Sequence, residues 1–441
     1  MSAPNLLLTG QYLLTMDAAR TLIADGALAI SGETIVAVGP AAELRERFPG
    51  AEELATPRGL IMPGLVNVHT HASMALFRGL ADDLPLMRWL HDHIFPVEAR
   101  LTGELVYQGA LLSLCEMIRS GTTSFCDMYL FAAEVGRAAA EAGVRAWVGE
   151  AMYDFPSPCY GPLENGFACV RDLFARFRNH PLVTVTLCPH AVYTCSPDLL
   201  TRIGAAAQDE NALLVIHLAE NSDEVRTCFE RYGQRPAAHL DALGLLGTRT
   251  VAAHCVMLDE DEIRLLAKRG VGVAHCPESN LKLASGIAPA ARMLEAGVKL
   301  GIGTDGSASN NDVDMFGEMR TAAFIHKAAQ LDPTAMPADL VLEAATLSGA
   351  RVLGAEQSIG SLEPGKKADC IVLDLDQPHL TPLYNPVSHL VYAARGGDVL
   401  HSVINGKVVM RDRCLLTLDQ PAILARAREI ASAFRTGCDG G

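Results

Sequence analysis

A chain of 441 residues with 49% hydrophobic and 20% charged side chains has room for two or three folded units around a large core, which excludes a disordered protein. A formal net charge of −15 offers no basic face to a phosphate backbone, so no nucleic-acid partner is expected. No apolar stretch reaches the ~18–20 residues that cross a membrane, and the twelve cysteines stand singly without a C-x-x-C pair. That cysteine usage predicts neither a disulfide framework nor a structural zinc knot, and it suits a reducing, cytoplasmic compartment.

The first segment, "MSAPNLLLTGQYLLTMD", lacks a basic start and is interrupted by Gly10, Gln11 and Asp17, so no signal peptide is expected. "GALAISGETIVAVGP" (26–40) has two apolar runs around Ser31-Gly32-Glu33, the chemistry of a hairpin. From residue 61 the rhythm changes. Short β-prone runs cover 61–71, 122–128, 144–152, 182–190, 212–220, 250–255, 271–279 and 298–306, with helical stretches such as 105–120, 131–143 and 259–270 between them. Eight buried-looking strands alternating with helices predict an α/β fold, a (β/α)8 TIM barrel. After it, "ADCIVLDLD" (368–376) and "VLHSVINGKVVMRD" (399–412) return to strands, the second folding at Asn405-Gly406. The two β-rich flanks are expected to pair into one small β-sandwich domain, 1–58 with 358–425, leaving 59–357 to the barrel and 426–441 to a C-terminal helix or tail.

In such barrels the active site lies at the C-terminal ends of the strands. His69, His71, His190, His217, Glu220, His254, His275 and Asp305 all fall there. On a strand, His69 and His71 point to one face. Three histidines and one aspartate drawn from these ends suit a Zn²⁺ site with an open position for water. Each residue also has an ordinary use: His217 as a buried ring satisfied by a carbonyl, Glu220 as an acid at a helix start, Asp305 as a turn residue, and His254 as packed core. Their joint occurrence at four different strand ends favours the metal. His275 is as readily structural as functional, and its neighbours Ser279 and Asn280 read as loop-shaping residues. No lysine precedes Lys268, so the first six strands cannot supply the carboxylated lysine that often bridges two metals, and a single ion per subunit is expected.

"PGLVNVHTHASM", "HLAEN", "AHCVML", "HCPESNLKLASG" and "GTDGSASNNDVDM" together resemble the amidohydrolase superfamily, in particular its 5-methylthioadenosine/S-adenosylhomocysteine deaminase branch, from about residue 5 to 425. The resemblance implies that His69, His71, His217 and Asp305 hold zinc and that Glu220 and His254 are catalytic together with Asp305. It also implies that Trp89 and Glu98, in "RWLHDHIFPVEAR", meet the base and ribose of a nucleoside, and that His190, in "CPHAVYTCS", is a further substrate contact. Without the resemblance Trp89 reads as core.

The implied reaction is hydrolytic deamination of an adenine ring at C6. Zinc would activate water, Asp305 would take its proton, His254 would orient the attacking oxygen, and Glu220 would protonate the adjacent ring nitrogen. Some relatives carry arginines after the third strand that meet the ribose or the homocysteine carboxylate, whereas here none lies between Arg145 and Arg171. The expected substrate is 5′-methylthioadenosine and/or S-adenosylhomocysteine, with adenosine, 5′-deoxyadenosine and a modified futalosine also open, and the missing arginines weigh against the charged tail of S-adenosylhomocysteine. The strand-end motifs would equally serve another heterocycle, such as guanine or a triazine. A non-catalytic binding scaffold would have lost a ligand or the acid, and here all six positions are filled. A homo-oligomer is left open by the sequence.

Overall fold

The computed structural model describes residues 4–436, and in it the two ends of the chain meet in one sheet. Its eight strands run in the order Cys414–Leu415, Lys407–Arg411, Val399–Ile404, Cys370–Asp374, Glu52–Pro63, Leu6–Leu14, Leu22–Ser31 and Thr34–Pro40. The N-terminal and C-terminal flanks join where Val372 faces Ile61 in an antiparallel pair. Both expected hairpins are present. Asn405 and Gly406 have φ of 51° and 76°, the left-handed pair that a tight two-residue turn requires.

Between the flanks the parallel strands Leu65–Thr70, Thr122–Tyr129, Arg145–Met152 and Val183–Val185 form one sheet, with Cys188–Pro189 pairing the third of them. Leu214–Leu218, Thr250–His254, Gly272–His275 and Lys299–Ile302 form a second. Leu187 connects the two: its N–H donates to Leu213 O, and its carbonyl accepts from Val215 N. On the opposite side Asp305 N donates to His69 O. This is a mixed α/β fold whose parallel strands fit a TIM-barrel-like domain. The strands are buried on both faces, which is why they read as nearly continuous apolar runs.

Three of the expected runs divide. The run 61–71 breaks at Gly64, since residues up to Pro63 pair with the flanking sheet and those from Leu65 with Thr122–Phe125. A Cβ at Gly64 would lie 2.1 Å from Thr123, so only glycine permits this crossing. The run 182–190 splits because Leu187 turns its bonds to the next strand. After His275 the chain does not stay extended but enters a short helix, Pro277–Lys282. Proline in the first turn starts it without losing a helical hydrogen bond. The terminal helix begins at Gln420, ahead of residue 426, and Arg119 Nη1 donates to Gln420 Oε1 at 3.2 Å. The expected tail's residues 437–441 lie outside the described residues. Among the described residues no helix is long and apolar enough to cross a membrane.

A buried ion pair fastens the parallel strands to the flanking sheet. Arg145, opening its strand, donates to Asp369 through Nε (2.8 Å) and Nη2 (3.2 Å), and to Asn405 Oδ1 (3.1 Å). Removing one partner strands a buried charge, so Arg145→Ala is expected to lose about 3–5 kcal/mol in urea unfolding. A loss below about 1 kcal/mol would mean that the pair does not hold the units together.

Candidate active site

At the C-terminal ends of the parallel strands five side chains converge. His69 and His71 follow from the first strand, His217 ends Leu214–Leu218, His254 ends Thr250–His254, and Asp305 lies just past Lys299–Ile302. The ring centroids of His69 lie 4.9 Å from His71, 5.0 Å from His217 and 5.5 Å from His254. Asp305 Oδ1 is 3.1 Å from His71 Nε2 and 3.6 Å from His69 Nε2. The backbone is bent to bring them together: Ala219, His254 and Asp305 all have positive φ (50°, 70° and 57°). Non-glycine residues are held in that region only where surrounding structure enforces it. Gly303 lets the last strand lie against the first, since a Cβ there would meet His69 N and O at 2.8 Å.

The donor set fits a cation. His71 Nδ1 donates to the Met128 carbonyl, and His217 Nδ1 donates to the His190 carbonyl at 2.9 Å. Both acceptors are carbonyls, so each ring turns its Nε2 inward, and these two atoms lie 3.3 Å apart. Two ring nitrogens so close need a shared positive charge, a proton or a metal ion, between them and the Asp305 carboxylate. Both ring nitrogens of His69 and Asp305 Oδ1 are buried with no hydrogen-bond partner among the described residues, a costly arrangement without a ligand. Burial lowers the His69 ring to about 4. Burial also pulls His71 down, but the Asp305 carboxylate more than reverses this and raises the ring to about 9. The same histidines hold Asp305 well below the usual carboxylate range against the effect of burial. An anion amid imidazoles, all aimed inward, is the chemistry of a divalent transition-metal site.

The surrounding residues set these orientations. Asn280 Oδ1 accepts from His254 Nδ1 at 2.9 Å, leaving His254 Nε2 to face Glu220 Oε2 at 4.0 Å. Ser279 and Ser309 donate to Asp305 Oδ2 at 2.6 and 2.7 Å. The Glu224 carboxyl takes the backbone N–H groups of Ala219 and Glu220 at 3.0 and 2.8 Å. Burial raises the carboxyls of Glu220 and, to about 8, Glu224. Ser279 and Asn280 thus do more than shape a loop, and Glu224 and Ser309 were missed by sequence reasoning. One helical turn separates Glu224 from Glu220, a spacing that could have suggested the brace, but nothing in spacing ties Asn280 to His254. His275 pairs with His326, Nε2 to Nε2 at 3.0 Å, behind the cluster.

A cavity of about 330 Å³ opens over the cluster, and His71, His190, His217, Glu220, His254 and Asp305 line its floor. Trp89 and Glu98 also line it, together with Tyr129, Tyr153, Phe155, Pro156 and Pro158. Trp89 sits in a π-helical turn, Trp89–Ile94, and its indole donates to Ala81 O at 3.1 Å. Burial raises the Glu98 carboxyl to about 7 against the pull of the neighbouring Tyr129 phenol and His71. Burial and the surrounding histidines lower His190 to about 3, so the ring is neutral. No lysine or arginine lines the cavity among the described residues. Arg171 is exposed on helix Leu163–Phe177 and does not reach it.

The chain belongs to the amidohydrolase family: the model described as "Amidohydrolase family" matches residues 60–409, and one described as "Imidazolonepropionase-like composite domain, bacteria" matches residues 26–51. It is 55% identical over 434 residues to a 5-methylthioadenosine/S-adenosylhomocysteine deaminase of Syntrophobacter fumaroxidans, covering 98% of this chain and 99% of that one. It is 48% identical over 383 residues to a 5′-deoxyadenosine deaminase of Methanothermobacter thermautotrophicus, covering 86% and 88%. The crystal structure of an adenosine deaminase from Xanthomonas campestris with bound zinc superposes with a TM-score of 0.97 at 43% identity, covering 99% of each chain.

Proposed function

We propose that the chain is a zinc-dependent hydrolytic deaminase of adenine nucleosides, with 5′-methylthioadenosine the preferred substrate. The observation that carries this reading is one cavity lined both by the imidazole–carboxylate cluster and by Trp89 and Glu98. The names of the three relatives given above, each a nucleoside deaminase, support it.

His69, His71, His217 and Asp305 would hold one zinc ion per subunit. The two triads of close donor atoms, His69–His217–His254 and His69–His71–Asp305, share His69, which supports a single centre. Bound zinc supplies Lewis acidity that makes water nucleophilic near neutral pH. Glu220, kept protonated more readily by burial, gives its proton to the ring nitrogen beside C6, so that the ring can accept electrons. Asp305 takes a proton from the attacking water and returns it to the departing amine. His254, held by Asn280, directs Nε2 at the attacking oxygen. Trp89 packs against the base, His190 adds a contact, and Glu98 accepts hydrogen bonds from the ribose hydroxyls. The apolar, aromatic lining and the lack of a lysine or arginine in it among the described residues favour a neutral 5′ substituent over the zwitterionic tail of S-adenosylhomocysteine.

As to architecture, we read the two parallel sheets as one closed (β/α)8 barrel over 59–357, whose first residues, up to Pro63, still pair with the flanking sheet; the Leu187 and Asp305–His69 backbone bonds support the closure. The flanks 1–58 and 358–425 form a composite β-sandwich. Its roll is supported by the bond from Ala368 N to Glu33 O, which ties the outer hairpin back to the C-terminal strands. From residue 426 the described residues continue the terminal helix as far as Thr436.

Ammonia release by the zinc-loaded protein, with methylthioadenosine, S-adenosylhomocysteine, adenosine, 5′-deoxyadenosine and guanine side by side, tests the function. The largest kcat/KM is expected for methylthioadenosine. Turnover of guanine alone would place the chain among deaminases of other heterocycles. Two substitutions test the roles. Glu98→Ala is expected to raise KM for nucleosides by about 10–100-fold while sparing free adenine, because one charged hydrogen-bonding partner is lost. With Glu98 at about 7, nucleoside KM should also rise as pH falls below that value and the carboxylate takes up a proton. Equal loss toward nucleoside and adenine would make Glu98 structural or catalytic. Asn280→Ala, which frees the His254 ring to turn, is expected to lower kcat by about 10–100-fold with zinc content unchanged. Wild-type kcat in that variant would remove Asn280 from the mechanism.

A further inference from the structure

Beyond the imidazole cluster, Glu150 of strand Arg145–Met152, Cys159 in the turn after it and Cys169 in helix Leu163–Phe177 bring a carboxylate oxygen and two sulfurs within 4.8 Å of one another. The sulfurs are 3.9 Å apart. Both cysteines are half-buried, whereas every other described cysteine except Cys414 is buried. The turn is closed by reciprocal backbone bonds between Ser157 and Gly161, both 2.8 Å, and Cys159 N donates to Ser157 Oγ at 3.1 Å. The residues that lead into Cys159 face the substrate cavity: Phe155, Pro156 and Pro158 line it, and Phe155 stacks on Tyr153 with centroids 4.0 Å apart.

We propose that Cys159 and Cys169 are a peroxide-responsive thiol pair whose disulfide ties the cavity-lining turn to helix Leu163–Phe177. Cys169 is assigned as the attacking sulfur: the Glu150 carboxyl beside the pair is placed to take the Cys159 proton, and the contact with Cys159 lowers Cys169 against burial. The Cys169 thiolate attacks one oxygen of hydrogen peroxide; the S–O bond forms, the O–O bond breaks, and hydroxide leaves, giving a sulfenic acid. Cys159 then attacks Cys169 Sγ as its proton passes to Glu150, whose carboxyl burial raises to about 7. The S–S bond forms, the S–O bond breaks, and the hydroxyl group departs as water with that proton. In sum the thiols lose two electrons to the peroxide, which is reduced to water. Glu150 is held for this transfer by the N–H groups of Phe131 (3.2 Å) and Ala132 (2.8 Å).

The test treats the zinc-loaded protein with near-stoichiometric hydrogen peroxide, then alkylates free thiols and maps peptides by mass spectrometry. A Cys159–Cys169 cross-link with a mass decrease of about 2 Da, reversed by dithiothreitol, is expected. In Cys159→Ser, dimedone should trap a sulfenic acid on Cys169, whereas Cys169→Ser should leave Cys159 unlabelled. The KM for methylthioadenosine should differ by at least about twofold between reduced and oxidised wild type, and not between treated and untreated Cys159→Ser. A cross-link elsewhere, no cross-link, or a cross-link without a change in KM would overturn the proposal. The KM comparison rests on the deaminase reading and the mass comparison does not. Absence of turnover in the reduced protein would therefore sink the function while leaving the thiol chemistry to be judged by mass.

Discussion

Glu220→Gln is expected to retain its zinc and lose about 10²–10⁴-fold in kcat, the range that a positioned general acid contributes. The substitution keeps the size of the side chain, and the backbone N–H groups of Ala219 and Glu220 stay fixed on the Glu224 carboxyl. What is lost is a transferable proton on a buried group that faces His254 Nε2 from 4.0 Å. Metal analysis beside single-turnover deamination separates the outcomes. Loss of zinc would place Glu220 among the ligands, and near-wild-type turnover would move the proton donor elsewhere.

Asp305→Asn should be at least as damaging, with kcat reduced by about 10³-fold or more and weakened zinc retention on dialysis against a chelator. Asp305 is the anion around which the imidazoles gather, and Ser279 and Ser309 hold its second oxygen. A carboxamide is neutral and cannot shuttle a proton from water to the leaving amine. It also presents an N–H₂ group either to the metal or to two serine hydroxyls that already need an acceptor. Full activity in this variant would exclude Asp305 from both proposed roles. Retained metal with lost turnover would confine it to proton transfer.

Most of the floor of the site was legible from residue types at strand ends. "HTH", "IHLAE", "AAHC" and "GIGTDG" each close an apolar run with a ligand-type side chain, and a parallel α/β fold collects such ends on one side. The wall was not legible from pattern. Trp89 has a core-like environment, with its indole satisfied by Ala81 O, and only the family resemblance set it over the metal cluster. Asn280 and Ser279 were read as loop residues because their partners, His254 and Asp305, are each 26 residues away along the chain. The break at Gly64 was invisible for a similar reason, since it depends on how closely Thr123 approaches.

The sequence by itself determined the alternation of strands and helices, the pairing potential of the flanks and which histidines and acids stand at the strand ends. These follow from periodicity and residue chemistry, which are local properties of the chain. Only the tertiary structure decided which ring nitrogens face inward, which backbone N–H groups Glu224 holds, and that no lysine or arginine lines the cavity among the described residues. It alone brought Cys159 against Cys169 behind the substrate wall. Each of these depends on distances between segments far apart in the chain, and packing of the whole chain sets such distances.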